Sequence, residues 1–492
     1  MSKNNDELFK NVIGHAKEYG FVFPSSEIYD GLSAVYDYGQ LGTELKNNIK
    51  TYWWKSMVQL HENIVGIDSA IFMHPKVWKA SGHVDGFSDP MIDNKDSKKR
   101  YRADNLLEDK IARYEKDGKT EKAQKLQADM DAALMAEDLP ALKSLIEEHE
   151  IACPISGTRN WTDVRQFNLM FSTKMGATAD GSEEVYLRPE TAQGIFVNFL
   201  NVQKSGRMKI PFGIAQIGKA FRNEVIARQF IMRMREFEQM ELQFFVRPGT
   251  EMEWYHYWKE ARLRWHLAVG TSAEKYRYHD HAKLAHYANA ALDIEFEFPF
   301  GFKEVEGIHS RTDFDLKQHQ QFSGKKMQYF DNELDENGKP YGNYIPYVIE
   351  TSIGLDRMFL LTMCNAYEEQ DLSTDEKQDS RTVLRLHPTL APIKAAVLPL
   401  TKKDGLPEKA REIMDSLKLD FNMQYDEKDS IGKRYRRQDA IGTPFCITID
   451  HQTLEDNTVT IRHRDSMEQE RVAVSELDKI IGNLVSWKNL LR

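Results

Sequence analysis

Cysteine is scarce in this chain: Cys153, Cys364 and Cys446 are the only three among 492 residues. They lie far apart in sequence, so they offer neither a disulfide framework nor a four-ligand zinc site. Long apolar runs are missing too, and none approaches the length that spans a bilayer, so no membrane partner is expected. The opening MSKNNDELFKNVIGHAKEYG has no apolar signal core, which makes the cytoplasm the expected location. Positive charge is not in excess either, because the formal net charge is −10. That balance argues against indiscriminate binding to nucleic acid, DNA included, and leaves room for a shaped RNA met by local basic patches. Internal repeats and low-complexity tracts are absent.

What is present is ordinary for a globular protein, 41% hydrophobic and 29% charged, and too long for one core, so two or three domains are expected. Residues 106–150 are rich in Ala, Leu, Lys and Glu without strand-like alternation. They read as two or three surface helices, broken at Asp117-Gly118 and Leu139-Pro140 and inserted into a larger domain spanning 1–388. Pro388 and Pro392 bracket an extended connection. Beyond it KAAVLPL, PEKAREIMDSLK, FNMQYDEK, SIGKRYRRQDAIG, PFCITID and TVTIRHRD alternate strand and helix, predicting a compact α/β domain over 389–492.

The stretch GIAQIGKAFRNE, residues 213–224, almost spells a phosphate-binding P-loop. That motif needs a hydroxyl after its lysine and a helix after its glycines; Ala220 supplies only a methyl, and the following residues look like more strand. In FRNEVIARQFIMRMREFEQMELQFFV, residues 221–246, Arg233, Arg235, Phe237, Gln239, Glu241 and Gln243 share one face, and Met234, Met240, Leu242 and Phe244 the other. By spacing alone, two readings stand side by side: a sheet face presenting groups to a ligand, and a solvated face laced with ion pairs.

This segment resembles motif 2 of the class II aminoacyl-tRNA synthetases, in the glycyl-tRNA synthetase version. PYVIETSIGLDRMFL, residues 346–360, resembles motif 3, a strand followed by a helix opening after Gly354. LKNNIKTYWWKSMVQLHENIVGIDSAIFMHP, residues 45–75, resembles motif 1, a long helix and a strand ending at Pro75, which in the family forms a homodimer interface. VYDYGQLG, WKASGH, RQFNLMF, YLRPETAQG and EGIHSRTDFDL follow in the order glycyl enzymes show. The resemblance implies an α+β catalytic domain on an antiparallel sheet, a helical insertion and a C-terminal α/β anticodon-binding domain. It implies ATP, Mg²⁺, glycine and tRNA(Gly) as cofactors and partners.

Residue by residue, it places ATP on Arg222, Asn223, Glu224, Met232, Arg233, Met234, Arg235, Glu236 and Phe237, on Glu304 and Val305, and on Gly354, Leu355, Asp356 and Arg357. Arg222, Glu350 and Arg357 would be catalytic, with Glu304 and Glu350 lining the Mg²⁺ region. A guanidinium fork suits two α-phosphate oxygens at once, which a lysine cannot match. The glycine pocket would take Arg100, Glu190, Phe237, Glu238, Gln239, Met240, Glu241, Glu350, Thr351, Ser352, Ile353 and Gly354. His309 reads as a structural histidine, because adenylate formation requires no acid–base group there.

Relatives carry cysteine pairs flanking the insertion where this chain keeps only Cys153, so no structural zinc is expected. Gln40 stands where relatives usually have proline. Lys433, Arg434, Arg436 and Arg437, with Tyr435 between them, start a predicted helix and are the tRNA-binding candidates; a solvated helix face explains the same spacing. Two rivals to charging remain: an accessory RNA-binding relative that has lost activation, and an enzyme adenylating another small acid.

Overall fold

Period-two alternation in the middle of the chain builds a seven-stranded sheet. The computed structural model describes residues 3–176, 183–224, 229–281, 284, 287–373 and 379–491. In chain order the strands are β1 (Ile64–Gly66), β2 (Phe212–Phe221), β3 (Glu236–Val246), β4 (Tyr276–Asp280), β5 (Ala290–Phe298), β6 (Gly301–Thr312) and β7 (Tyr347–Gly354). They lie in the order β4-β5-β6-β7-β3-β2-β1, antiparallel except for β1 beside β2. Register aligns Gln216, Glu241, Ser352, Gly307, Asp293 and His279 in one row across six strands.

The opposite face of β3 carries Met240, Leu242 and Phe244 into the main core, as the alternation requires. There α1 (Gln40–Trp54) buries Leu45, Ile49, Tyr52 and Trp53, a helical spacing of one apolar face. It runs into a wider turn over Lys55–Gln59, and β1 follows. Pro75, expected at a strand end, instead opens the short helix Pro75–Ala80, where its missing N–H costs nothing. The near-P-loop is plain strand: β2 runs through GIAQIGKAF without a helix behind it. A Cβ on Gly218 would lie 2.2 Å from the Arg188 guanidinium, so close approach explains this glycine. Residues 225–228 of the motif 2 span lie outside the described residues.

Residues 106–150 fall in three helices, α2 (Ala103–Lys116), α3 (Thr120–Met135) and α4 (Leu139–Glu148), beside the three-stranded sheet of Ser88–Asn94, Lys99–Arg102 and Arg165–Asn168. They are more than surface helices: Leu107, Leu126, Met130, Leu142 and Ile146 pack with Ile92, Tyr101 and Trp161 into a core of their own. Pro140 begins the third helix, where it is tolerated, and breaks nothing. Then α5 (Ala192–Gly206) packs on β2 and β3, and α6 (Leu355–Ala366) follows β7 directly.

The C-terminal region forms a five-stranded sheet, β8 (Ala395–Pro399), β9 (Met423–Tyr425), β10 (Phe445–Ile449), β11 (Thr458–His463) and β12 (Gln469–Ala473), in the order β9-β8-β10-β11-β12. Helices α7 (Leu406–Leu417) and α8 (Ile431–Ile441) connect its parallel strands. Buried Asp439 takes Arg462 at 2.8 Å and Arg381 at 3.0 Å, tying this sheet to the preceding hairpin. His15 Nε2 lies 2.8 Å from the Ala440 carbonyl, joining the N-terminal helix to the same place.

Candidate functional site

The odd-numbered face of β3 is the reactive one. Glu241 accepts from the Thr191 hydroxyl, Gln239 donates to Ser352 Oγ at 3.2 Å, and Gln243 donates to Glu350 Oε2 at 2.6 Å. Across the sheet Arg311 donates to Glu350 at 3.0 Å and to both Asp315 oxygens, while His309 Nδ1 holds the other Glu350 oxygen at 2.7 Å. Glu190 meets His83 at 3.3 Å and accepts from Gln193 at 3.0 Å. Glu241, Glu350 and Arg311 are all buried.

Such crowding divides the carboxyls. Burial pushes Glu241 well up, and the charges of Glu350 and Glu190 push it further. For Glu190 burial also pushes upward, but His83 and Arg311 overcome it and hold the group at about 2. Glu350 likewise goes down against burial, chiefly because of Arg311. Arg311 is raised by Asp315 and Glu350 against its own burial. The pocket therefore holds more acid than base, and Glu241, which bonds the neutral Thr191 and Gln243, is the acid whose charged form is disfavoured.

Beside it opens a cleft of about 830 Å³, open solvent included, lined by Arg222, Glu224, Met232, Arg233, Met234, Phe237, Glu304, Gly354 and Arg357 among others. Arg222 sits between the Phe87 and Phe237 rings, 5.5 and 5.3 Å from their centroids, and donates to the Pro189 carbonyl at 3.0 Å. Arg357 pairs with Glu304 at 2.9 Å, and this arginine holds the nearly half-exposed Glu304 carboxyl below its usual range. Glu224 faces Arg233 at 3.8 Å, and the Asn223 amide donates to the Leu169 carbonyl at 2.8 Å. Glu304, whose side chain is nearly half exposed, presents a carboxylate to this cleft beside Glu224.

Several residues expected in the site are elsewhere. Arg100 is bound to Asp93 at 2.7 and 3.0 Å and lines a separate cavity near Thr162 and Phe167, outside the glycine pocket. Val305, Met240, Ile353 and Leu355 are core residues, and Thr351 pairs in register with core Leu242, on the back face. Asp356 accepts from Tyr38, from Lys46 at 2.9 Å and from the Glu238 amide at 2.7 Å; Glu238 in turn binds Lys46 at 3.0 Å and Lys50 at 2.5 Å. These two carboxylates do line the cleft, but they are bonded to α1 and to backbone rather than presented to a ligand. Arg235 donates to the Glu224 and Ser33 carbonyls, and Glu236 pairs with Lys219 away from the cleft. Glu350 has both its oxygens bonded to Gln243, His309 and Arg311, beside Glu241 and apart from the cleft that Glu304 lines.

Three of the four RNA candidates have partners within the protein. Arg434 is buried and donates to the Pro399, Leu400 and Asp426 carbonyls. Arg436 pairs with Asp379 at 2.9 Å, and Arg437 with Asp426 at 2.6 Å and Asp429 at 3.0 Å. Lys433 remains exposed. Sequence reasoning placed Gln243 on this face without giving it a role, and it missed Arg311, Thr191 and His83. Arg311 was legible as the next same-face residue after His309, whereas His83, the last residue of WKASGH, reaches Glu190 from the start of the short helix His83–Gly86, a meeting that spacing alone does not reveal.

An antiparallel sheet with arginines along a cleft at one end of a carboxylate-lined pocket defines a class II tRNA synthetase core. Residues 171–366 match the family model for the tRNA synthetase class II core domain (G, H, P, S and T), residues 89–126 and 119–169 that for glycyl-tRNA synthetase insertion domain 1, and residues 394–484 that for the anticodon binding domain. The glycine–tRNA ligase of Chlorobaculum tepidum is 55% identical over 473 residues, 96% of this chain and 98% of that protein. That of Macrococcus caseolyticus is 52% identical over 491 residues, covering 99% and 100%. That of Staphylococcus aureus is 52% identical over 485 residues, covering 98% and 99%. This chain belongs to the glycine–tRNA ligase family.

Proposed function

We propose that this chain activates glycine with ATP and transfers it to tRNA(Gly). The observation that carries the reading is the charge imbalance of the pocket: Glu190, Glu241 and Glu350 crowd one arginine, Arg311 bonds Glu350 and Asp315, and Glu241 bonds the neutral Thr191 and Gln243 rather than a cation. An ammonium group supplies it. Ser352 lies in register between Glu241 and Gly307, where a side chain on the substrate's α-carbon would collide, so size alone can reject larger amino acids. This arrangement needs no editing domain.

In the reaction the substrate carboxylate is itself the nucleophile. It attacks the α-phosphorus of ATP in line with the departing pyrophosphate, so the protein contributes positioning and charge. Arg222 forks onto the α-phosphate, Glu224 accepts from the adenine amino group, Phe237 stacks on the ring, and Arg357 meets the γ-phosphate. Glu304 would hold Mg²⁺, which adds positive charge among the phosphates. The tRNA 3′-terminal hydroxyl then takes the glycyl group and AMP departs. Two copies associate through the motif 1 region, which sedimentation velocity would test. No helix among the described residues is long and apolar enough to cross a membrane.

The test is ATP–pyrophosphate exchange with each amino acid in turn, without tRNA. Exchange with glycine alone is expected. No exchange from folded protein would overturn the reading in favour of an accessory RNA-binding role.

A further inference from the structure

At the far side of the reactive face lie three groups that glycine activation does not use as substrate contacts: His281, Asp293 and His309. Their ligating atoms all fall within 4.8 Å of one another. His281 Nε2 is 2.9 Å from Asp293 Oδ2, and the two imidazole centroids are 5.8 Å apart. His309 spends Nδ1 on Glu350, which leaves Nε2 to ligate. A histidine steadied by a carboxylate on its other nitrogen is the usual support of a metal ligand.

A second observation shows room for an ion. Gly307 sits in register between Asp293 and Ser352, and a Cβ there would lie 2.9 Å from His309 Cε1, 3.4 Å from its Nε2 and 3.6 Å from Asp293 Oδ1. The missing side chain keeps the two ligands uncovered. His281 is about one-third exposed and is the movable member, open to solvent on its outer side. Bonds of about 2.0–2.1 Å in a tetrahedron put ligand atoms roughly 3.3 Å apart, a spacing reached by turning the His281 ring inward.

We propose that His281, Asp293 and His309 form a binding site for a divalent transition cation, zinc or one of like preference, joined to the glycine pocket through the His309–Glu350 hydrogen bond. Two imidazoles and a carboxylate suit zinc or cobalt, whereas magnesium and calcium prefer all-oxygen sets. Counting cysteines cannot reveal such a set, so the expectation of no zinc, drawn from the lone Cys153, does not address this site. Three protein ligands leave a position for water. With a metal on Nε2, His309 is fixed as a neutral donor toward Glu350, so occupancy alters how firmly Glu350 is held. Metal capture stands apart from the proposed function; only this coupling rests on it.

The experiment titrates chelator-stripped, full-length protein with Co²⁺ and follows the visible absorption of the bound ion, with Zn²⁺ as competitor. One ion per chain is expected, with affinity weakened ~10²-fold or more in His281→Ala and in Asp293→Asn and unchanged in Cys153→Ser. Absence of saturable absorption, binding indifferent to both site variants, or binding lost in Cys153→Ser would each overturn the site. Glycine-dependent exchange by stripped His281→Ala in Mg²⁺ buffer freed of transition metals, equal to that of the unsubstituted protein treated alike, verifies its fold. An unchanged KM for glycine on adding Zn²⁺ to the intact protein would overturn the coupling while leaving the absorption result to decide the site.

Discussion

Glu190 and Glu241 carry the same functional group into the same pocket and titrate in opposite directions. Glu190, held at about 2 against an ordinary 4.5, contributes stability that is present above 4.5 and lost as pH falls toward 2. Glu241 is raised, so its contribution is present below 4.5 and lost as pH rises through its folded value. Glu241→Gln should therefore raise the thermal midpoint more at pH 8 than at pH 5, while lowering glycine activation ~10²-fold through loss of the charged partner. Thermal melts at both pH values beside exchange kinetics check this trade. Ser352→Val should intrude on the pocket and cut kcat/KM for glycine by ~10²-fold, a loss readable by exchange, and unchanged kinetics would remove Ser352 from the pocket. Alternation along β3 made Gln239, Glu241 and Gln243 legible, because period two assigns sides without knowledge of the neighbours. The same alternation puts Glu238 on the other side, against the run that the resemblance implied, and only the packed helix α1 reveals that Lys46 and Lys50 receive it there.

Among elements, α1 and α6 are joined by charge: Lys46 lies between Asp356 and Glu238, all three largely buried. Lys46→Met should destabilise the catalytic core by about 3 kcal/mol, because two carboxylates lose their cation, and denaturant unfolding would measure it. The helices α2, α3 and α4 pack around Leu126 in a separate cluster. Leu126→Ala should cost that unit about 2–5 kcal/mol, seen as faster amide exchange over residues 103–148, while glycine-dependent exchange of pyrophosphate stays unaltered. Helix formation here was plain from composition, but the cluster was not, because Ile92 and Trp161 come from outside the helical block. The order of strands and helices after residue 394 was equally readable, whereas the hairpin strand β12 was not anticipated, since QERVA offers little apolar alternation.

At the scale of the whole molecule, the C-terminal sheet is anchored by arginines whose charge is spent internally. Arg434→Ala should lower the thermal midpoint through its lost carbonyl bonds, and Lys433→Ala should weaken tRNA binding without that loss; filter binding at fixed salt separates the two. Basic residues in a row predict attraction to phosphate only when their acids lie elsewhere, and Asp379, Asp426 and Asp429 could be assigned to them only in three dimensions. The six-strand row from Gln216 to His279 carries a consequence for chain length. Deleting one residue within β3 would send Glu241 to the Met240 side and Met240 to the pocket, so these strands can vary in spelling but not in length. A change of chain length is then tolerable in the connections and ruinous in the strands, so the sheet acts as a counting frame for the pocket.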